Sequence, residues 1–318
     1  MKALATIFMG ILSVGTAFSA EPYPVRPIRM IVGFAPGGGT DLTARPVAQK
    51  LSELLGQQVI VENRPGAAGN IATEQVVKAP PDGYTLLMGT IAALAINPSL
   101  YGDLRFDPET DLAPVIQVVD ATNVLALHPS VPAGSVKELI ALAREKSLSA
   151  GSSGIGATGH LSIELFNLMA GVKLVHVPYK GGGPAMADLV GGQVNLIFAT
   201  TASAIPHLKS GRIKGIAVTT AKRSALLPDL PTISESGLPG YEVTNWYGVM
   251  MPAGVTKDVL SKIHGDLVKI LKMPDVHQRF QAEGGDTTSN TPEQFAAFIK
   301  TEIAKWGKAV RESGAKVD

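Results

Sequence analysis

Two glycine-rich stretches are the parts of this sequence best suited to hold a ligand. The first, FAPGGGTD, runs from Phe34 to Asp41, and the second, GSSGIGATGH, runs from Gly151 to His160. Each lies between a strand-like run and a segment with helical periodicity, and glycine lets backbone N–H groups approach a ligand closely. The first N–H groups of a helix also lack partners and lie at the positive end of its dipole. Both loops are therefore candidate anion cradles, and the alternative is that they are only tight strand–helix turns.

Other chemistries fit these loops less well. The second loop matches the G-x-G-x-x-G pattern of dinucleotide sites from Gly154 to Gly159. Such a site needs an acidic residue at the end of the next strand, about 20 residues further on, but Val177 to Lys180 stand there. Neither loop has a P-loop ending, and the six histidines lack the spacing of a metal site. We therefore predict no cofactor, no metal and no catalytic residue.

Composition and charge exclude several classes of protein. The 318 residues include 28 Lys+Arg and 27 Asp+Glu, whereas a nucleic-acid-binding surface usually has a clear basic excess. The absence of cysteine excludes disulfides and thiol chemistry. The N-terminus has one Lys, an apolar stretch and then small residues, which is the pattern of a secretory signal peptide. We place the cleavage after Ser19, so that the mature chain starts near Ala20, and predict an exported protein that binds no nucleic acid.

The elements that would position the loops alternate between strands and helices. IRMIVGF (Ile28 to Phe34) is typical of a buried strand, and helical periodicity follows the first loop. QVIVEN, YTLLMGT, KLVHVPY, QVNLIFA and GIAVTT predict further strands, separated by helices. Ser135 and Glu138 form a capping box, and Thr291 and Pro292 begin a C-terminal helix with an apolar stripe that we assign to core packing. This alternation predicts an α/β protein with largely parallel sheets.

Two long β-like segments, near residues 115–127 and 241–251, indicate how the chain is divided. A lobe inserted into another lobe is joined to it by two crossings, and these segments could form them as a hinge. We therefore predict one lobe from residues 20–120 and 241–318 and a second lobe from residues 121–240. One glycine loop then falls in each lobe. This favours a ligand with acceptors at both ends, such as a dicarboxylate, held in the cleft between the lobes.

Five stretches that run over nearly the whole chain from Tyr23 to about Trp306 are familiar in combination: IVGFAPGGGTDLTAR, VIVENRPGAAGNI, APPDGYTLLMG, HVPYKGGGPA and LPTISESGLPGYEVTNWYG. With them the sequence resembles the Bug (TctC-like) family of solute-binding proteins, the receptors of tripartite tricarboxylate transporters. The resemblance implies a periplasmic, two-lobed α/β Venus-flytrap of the type II-like binding-protein fold, with two hinge crossover strands. It also implies small organic carboxylates as ligands, with one carboxylate held at the first loop by backbone N–H groups and ordered water.

The resemblance implies ligand-binding residues in four parts of the chain: Phe34, Gly38, Gly39 and Asp41 in the first loop, Thr90, Ile91 and Ala92 after the third strand, Gly154, Thr158 and His160 in the second loop, and Ala199 and Thr200 within IFATT. The sequence departs from the family at Ala199, where an Asp is common. An acid there could pair with a ligand amine, so its absence favours an amine-free acid. Because Asp41 would repel a carboxylate, we expect it to accept backbone N–H groups or fix a water.

We therefore predict a monomeric receptor, not an enzyme, that captures a small di- or tricarboxylate between its lobes and delivers it to the membrane permease of a tripartite tricarboxylate transporter. Two alternatives stay open at the level of sequence. A ligand-sensing subunit of a membrane signalling protein would need the same fold. An exported hydrolase or isomerase could use the same cleft, although the sequence offers no recognisable pair of catalytic base and nucleophile.

Overall fold

The computed structural model describes residues 23–313, so the predicted signal peptide, residues 1–19, lies outside the described residues. Within that range the chain forms eleven strands: β1 (Ile28–Val32), β2 (Val59–Asn63), β3 (Thr85–Thr90), β4 (Leu112–Ala121), β5 (Asn123–Leu127), β6 (Ser149–Ser152), β7 (Val175–Pro178), β8 (Leu196–Thr200), β9 (Lys214–Val218), β10 (Asn245–Pro252) and β11 (Gly285–Thr287). They form a six-stranded sheet in the order β11-β4-β10-β3-β1-β2 and a five-stranded sheet in the order β7-β6-β8-β5-β9.

Ten α-helices accompany the sheets in the described part of the chain: α1 (Gly39–Leu55), α2 (Asn70–Val77), α3 (Asn97–Leu100), α4 (Val136–Glu145), α5 (Thr158–Ala170), α6 (Gly182–Val190), α7 (Thr201–Lys209), α8 (Lys257–Leu271), α9 (Pro274–Ala282) and α10 (Pro292–Ser313). A 3₁₀ turn lies at Ala67–Gly69, and a π-helical turn at Ala92–Ile96 precedes α3. None of the helices in residues 23–313 is long and apolar enough to cross a membrane.

The predicted helix starts are confirmed by their caps. The hydroxyl of Ser135 accepts a hydrogen bond of 3.2 Å from the backbone N–H of Glu138, and α4 begins there. The hydroxyl of Thr291 accepts one of 3.3 Å from the N–H of Gln294 at the start of α10. The apolar stripe of α10 is buried in the core, as expected, at Phe295, Ile299, Trp306 and Val310.

The prediction of largely parallel sheets is wrong, because both sheets are mixed. β1 pairs in parallel with β2 and β3, and β6 pairs in parallel with β7 and β8. Every antiparallel pair contains β4, β5 or β10. β10 is antiparallel to β3 and β5 is antiparallel to β8, so these two strands, each of which follows a passage of the chain from one sheet to the other, run against the parallel strands of their sheets. β4 is antiparallel to β10 and therefore runs in the same direction as β3.

The chain passes between the sheets at two places in the described range. β4 ends at Ala121 in the first sheet and β5 begins at Asn123 in the second, so only Thr122 lies between them. The return runs through residues 219–244 to β10. Thr219 links the two passages, because its N–H donates to the carbonyl of Asn123 at 3.0 Å and its carbonyl accepts from the N–H of Val243 at 2.9 Å. The residue ranges assigned to the two lobes stay a prediction, and their boundaries fall at or near these passages.

Apolar side chains cover both faces of the first sheet and fix its loops. Val47 and Leu51 of α1 and Ile263 and Leu267 of α8 are fully buried and belong to one cluster with the first sheet. A second cluster includes Phe295 of α10, the π-helical turn and core residues of the second sheet. Burial of this extent stabilises the strands, and the loops that follow β1 and β3 are therefore held at defined positions.

Candidate functional site

A cavity lies between the two sheets, where the parallel strands β1, β3, β6 and β8 end. Its volume is about 590 Å³, including space that opens to solvent. Phe34 follows β1, Thr90 ends β3, Ser152 ends β6 and Thr200 ends β8, and all four residues line the cavity. The carboxyl ends of parallel strands are the usual place for ligands in α/β proteins. The cavity is therefore the candidate binding site.

Four helices begin at this cavity. They are α1, α5, α6 and α7, which start at Gly39, Thr158, Gly182 and Thr201, respectively. The first three starting residues line the cavity, and so does Thr200, which caps α7. None of the four N-cap residues satisfies a backbone N–H group of its helix with its side chain. The cavity thus lies at the positive ends of four helix dipoles, close to N–H groups that have no partner within their own helix. The first N–H of α7 does have a partner outside its helix, because Thr201 donates to the carbonyl of Thr122 at 2.9 Å.

The side chains around the cavity are neutral. Within residues 23–313, its polar lining consists of hydroxyl and amide groups: Thr40, Thr90, Asn123, Ser152, Ser153, Thr158, Thr200, Ser203, Asn245 and Tyr247. The rest of the lining is glycine or apolar, and Ala199 is among it. An anion can be held here by backbone dipoles and hydroxyl groups. An ammonium group would find no carboxylate in this lining to balance its charge.

Gly39, the first residue of α1, lies in a tight space between side chains from both sheets. A Cβ atom at this position would lie 2.5 Å from the hydroxyl oxygen of Tyr247 and 2.7 Å from the hydroxyl oxygen of Thr200. Tyr247 comes from β10 and accepts a hydrogen bond of 3.0 Å from the amide of Asn245. Burial raises the pKa of Tyr247 to about 12, so its hydroxyl stays protonated at neutral pH and can donate to an anion. Only glycine fits between these two hydroxyl groups.

Asp41 lies behind the first loop and does not line the cavity. Its carboxylate accepts hydrogen bonds from the N–H of Gly37 at 3.0 Å, from Arg45 at 2.8 and 2.9 Å, and from the amide of Asn63 at 2.9 Å. Burial alone would raise the pKa of Asp41, but these hydrogen bonds outweigh it, and the pKa is lowered. The expectation that Asp41 accepts a backbone N–H group is confirmed. Within the first loop, Gly37 has a positive φ of +80°, at which a side chain would be strained.

In the second loop, His160 points away from the cavity. Its Nδ1 accepts from the N–H of Gly156 at 3.2 Å, and its ring stacks on His176 at 4.4 Å. Burial and then the nearby His160 lower the pKa of His176 to about 4, so its ring is neutral at neutral pH. His176 pairs through Nε2 with the hydroxyl of Ser152 at 2.6 Å, and that hydroxyl also accepts from the N–H of Gly154 at 3.1 Å. The two histidines thus support the loop from outside.

The structure brings most of the residues implied by the resemblance together. Those that line the cavity are Phe34, Gly38, Gly39, Thr90, Ile91, Ala92, Thr158, Ala199 and Thr200. Asp41, Gly154 and His160 do not line it, and their contacts are with the loops. Their role as direct ligand contacts remains a prediction without geometric support. The described residues contain no group of three or more His, Asp or Glu side chains placed to hold a metal ion.

Sequence reasoning missed Asn123, Ser203, Asn245 and Tyr247, which also line the cavity. A signal for two of them is present. Asn123 and Asn245 are amide side chains inside the apolar runs ATNVLALHP and VTNWYGVMM, next to the predicted passages between the lobes. A polar residue in a buried strand needs a partner, and a residue at a hinge faces the cleft. The two observations together could have predicted both asparagines.

Direct contacts join the loops of the two sheets around the cavity. The N–H of Ala35 donates to the carbonyl of Lys180 at 2.9 Å, and the hydroxyl of Tyr101 donates to the carbonyl of Ile155 at 2.9 Å. A Cβ atom at Gly38 would lie 3.1 Å from the backbone nitrogen of Gly182. The glycines of the first loop therefore face those of KGGGP, the third glycine-rich stretch. The cavity is bounded on this side by backbone from both sheets.

Comparisons with known proteins agree with this geometry. The model of the "Tripartite tricarboxylate transporter family receptor" family matches residues 43–315. Protein BugT of Bordetella pertussis is 37% identical over 320 residues, which cover 100% of this chain and 98% of BugT. The solved structure of R. palustris Rpa4515 with adipate is 38% identical with a TM-score of 0.90, and the match covers 93% of this chain and 100% of that one. MatC from Rhodopseudomonas palustris with bound malate is 30% identical with a TM-score of 0.86. The match covers 91% of this chain and 100% of MatC.

These likenesses cover nearly the whole of the chain and of its relatives. The predicted fold class, a two-lobed α/β binding-protein fold, is confirmed by the solved structures that superpose on it. The predicted family is confirmed by the family model and by the identity to BugT. The chain therefore belongs to the tripartite tricarboxylate transporter receptor (TctC/Bug) family, whose members are periplasmic solute-binding proteins and not enzymes.

Proposed function

We propose that this protein captures a small organic di- or tricarboxylate without an amine group and delivers it to the membrane permease of a tripartite tricarboxylate transporter. The observation that carries the proposal is the convergence of four helix N-termini on a cavity lined by neutral side chains. Such an arrangement favours anions over cations. The related proteins with bound adipate and malate support a carboxylate as the ligand.

In this proposal each glycine loop holds one end of the ligand. The N–H groups at the start of α1 and the hydroxyl of Tyr247 would donate to the proximal carboxylate. Thr158 and the N–H groups at the start of α5 would donate to the distal end. Hydrogen bonds to a charged group are stronger than those between neutral groups, so several such donors can hold a carboxylate without an arginine.

Binding would be coupled to closure of the two lobes, 20–120 with 241–318 and 121–240. Both lobes contribute donors, so a ligand makes its full set of contacts only when they are close together, and it stabilises that state. The contacts between Ala35 and Lys180 and between Tyr101 and Ile155 would form at the same time. Export with cleavage after Ser19 would place the receptor in the periplasm, where it can meet a permease.

A thermal-shift screen tests the proposal. The purified mature protein is heated with mono-, di- and tricarboxylates and with acidic amino acids. We expect one or more amine-free di- or tricarboxylates to raise the unfolding temperature, because a ligand at 100 times its Kd adds about 2.7 kcal/mol to the free energy of unfolding. Stabilisation by amino acids alone would contradict the amine-free assignment. The absence of a shift with every carboxylate would contradict the function.

Two threonine variants show whether the stabilising acid binds in the cavity. Thr158→Val removes a hydroxyl that lines it, whereas Thr301→Val makes the same change on the exposed side of α10. Loss of a hydrogen bond to a charged group costs about 1.5–3 kcal/mol, or roughly 10- to 150-fold in Kd. We expect this loss for Thr158→Val and no change in Kd for Thr301→Val. Equal affinities of the two variants would place the binding site elsewhere.

A further inference from the structure

One side chain in the cavity has unused hydrogen-bonding capacity at both of its polar atoms. Asn123 is the first residue of β5, lines the cavity and is 1% exposed. Within the described residues, neither its amide nitrogen nor its amide oxygen has a hydrogen-bond partner. Burying an amide in this way is unfavourable unless something else satisfies it. A ligand in the cavity is in a position to do so.

The backbone fixes Asn123 in its place. It pairs with Thr200 of β8 in the antiparallel ladder, so both side chains lie on the same face of the sheet. Its carbonyl accepts from the N–H of Thr219 at 3.0 Å. The hydroxyls of Thr200 and Ser203 are 3.1 Å apart and pair with each other. The amide of Asn245 donates to Tyr247. These neighbours therefore already have partners of their own.

From these contacts we propose that Asn123 is a specificity-determining residue that favours carboxylates carrying a hydroxyl group, an inference that rests on the proposed function. A carboxylate can only accept hydrogen bonds, so it satisfies the amide nitrogen and leaves the amide oxygen unpaired. A hydroxyl group on the same ligand can donate to that oxygen. An ammonium group could donate as well, but no carboxylate in the described lining would balance its charge. A hydroxy acid thus matches both atoms of Asn123.

The other buried polar atoms without a partner do not point to this cavity. In the described chain they belong to Asn97, Ser162 and His207, and none of these residues lines it. Asn97 provides a matched control for Asn123. It is fully buried, its amide nitrogen donates to Asn70 at 2.7 Å, and only its amide oxygen is unpaired. Replacing it removes a buried amide without removing a group from the cavity.

Calorimetric titration with pairs of acids on one carbon skeleton tests the inference. The pairs are succinate with malate, glutarate with 2-hydroxyglutarate and adipate with 2-hydroxyadipate. We expect the parent protein to bind the hydroxy acid of at least one pair about tenfold more tightly than the plain acid, which is the order of one net hydrogen bond. Asn123→Leu should lose this preference while still binding the plain acid. Asn97→Ala should keep the preference, even if both affinities change.

The outcomes separate this inference from the proposed function. If the parent binds no hydroxy acid more tightly than its plain partner, or if Asn123→Leu keeps the preference, Asn123 does not select the hydroxyl. The proposed function as a carboxylate receptor would not be affected by this result. If no acid of any pair binds, the result contradicts both the inference and the proposed function on which it rests. Circular dichroism checks that the variant is folded, and Asn123→Ala replaces Asn123→Leu if it is not.

Discussion

At the scale of single residues, Asp41 stabilises the first glycine loop from outside the cavity. Its two carboxylate oxygens bind Gly37, Arg45 and Asn63, so they connect the loop to α1 and to the end of β2. The N–H of Gly37 donates to Asp41 at 3.0 Å, and Gly37 adopts a φ of +80° that few other residues tolerate. Asp41 is therefore a positioning residue: it orients N–H groups that we expect to touch the ligand.

Variants of Asp41 test this positioning role. Asp41→Asn keeps an oxygen that can accept from Gly37, so we expect its Kd for a carboxylate from the screen to stay within about tenfold of the parent. Asp41→Ala leaves Gly37 and Arg45 without this acceptor, and we expect a larger loss. Glu62→Gln is the control, because Glu62 of β2 pairs with Arg29 of β1 and with Arg64, and not with the loop. Calorimetry gives the Kd of each variant, and parent-like binding by Asp41→Ala would refute the role.

The sequence predicted Asp41 better than His160. An acid in the first turn of a helix has a local partner in the helix N-terminus, so its role follows from position alone. The direction of His160 depends on His176, which comes from β7 on the other side of α5. Spacing along the chain contains no information about that contact. Sequence patterns therefore located the second loop but not which of its side chains face the cavity.

At the scale of elements, the loop before α1 packs against the start of α6. Gly37 and Gly38 lie opposite Gly182 and Gly183, and a Cβ atom at Gly183 would overlap the carbonyl oxygen of Pro36. The hydrogen bond from Ala35 to Lys180 lies beside this contact. Glycines on both sides allow backbone to approach backbone. We infer that this glycine contact is needed for the two lobes to close.

Gly183→Ala tests the glycine contact. The added methyl group should not disturb either lobe by itself, but it would meet Pro36 in the closed state. Overpacking costs about 1–3 kcal/mol, so we expect ligand affinity to fall roughly 5- to 150-fold. We also expect small-angle scattering to show no compaction when the ligand is added at a concentration that compacts the parent.

Gly265→Ala is the matched control for this change, because a Cβ atom there would meet nothing within 4 Å and the residue lies inside α8. It should bind and compact like the parent. Compaction of Gly183→Ala at the parent's ligand concentration would show that the glycine contact does not govern closure.

Helical periodicity after each glycine loop predicted α1 and α5, because apolar spacing and glycine act locally. Such local patterns could not predict which segment contacts the first loop. KGGGP follows β7 of the other sheet and begins α6, and only the tertiary fold brings Gly182 to Gly38. The direction of the strands could not be predicted from local patterns either, because it also depends on the tertiary fold. Whether β4 and β10 run parallel or antiparallel to β3 depends on the passages between the sheets, not on their residues.

At the scale of the whole molecule, the cavity exists because two sheets contribute to it. Asn123 follows one passage between the sheets, and Asn245 follows the other. Tyr247 is two residues further along β10 and reaches Gly39 of α1. The resulting site combines four helix N-termini, neutral side chains and close backbone contacts between loops of the two sheets. This chemistry suits small anions and supports the proposed function.

Calorimetric titration with a carboxylate and its uncharged amide tests this account most directly. Adipate is compared with adipamide, and malate with malamide, since each pair shares a carbon skeleton and differs in charge. Because N–H donors and helix dipoles bind the negative charge, we predict that at least one of the two acids binds with a stoichiometry of one and that its diamide binds at least about tenfold more weakly. Equal binding of an acid and its diamide, or binding by neither acid, would contradict the account.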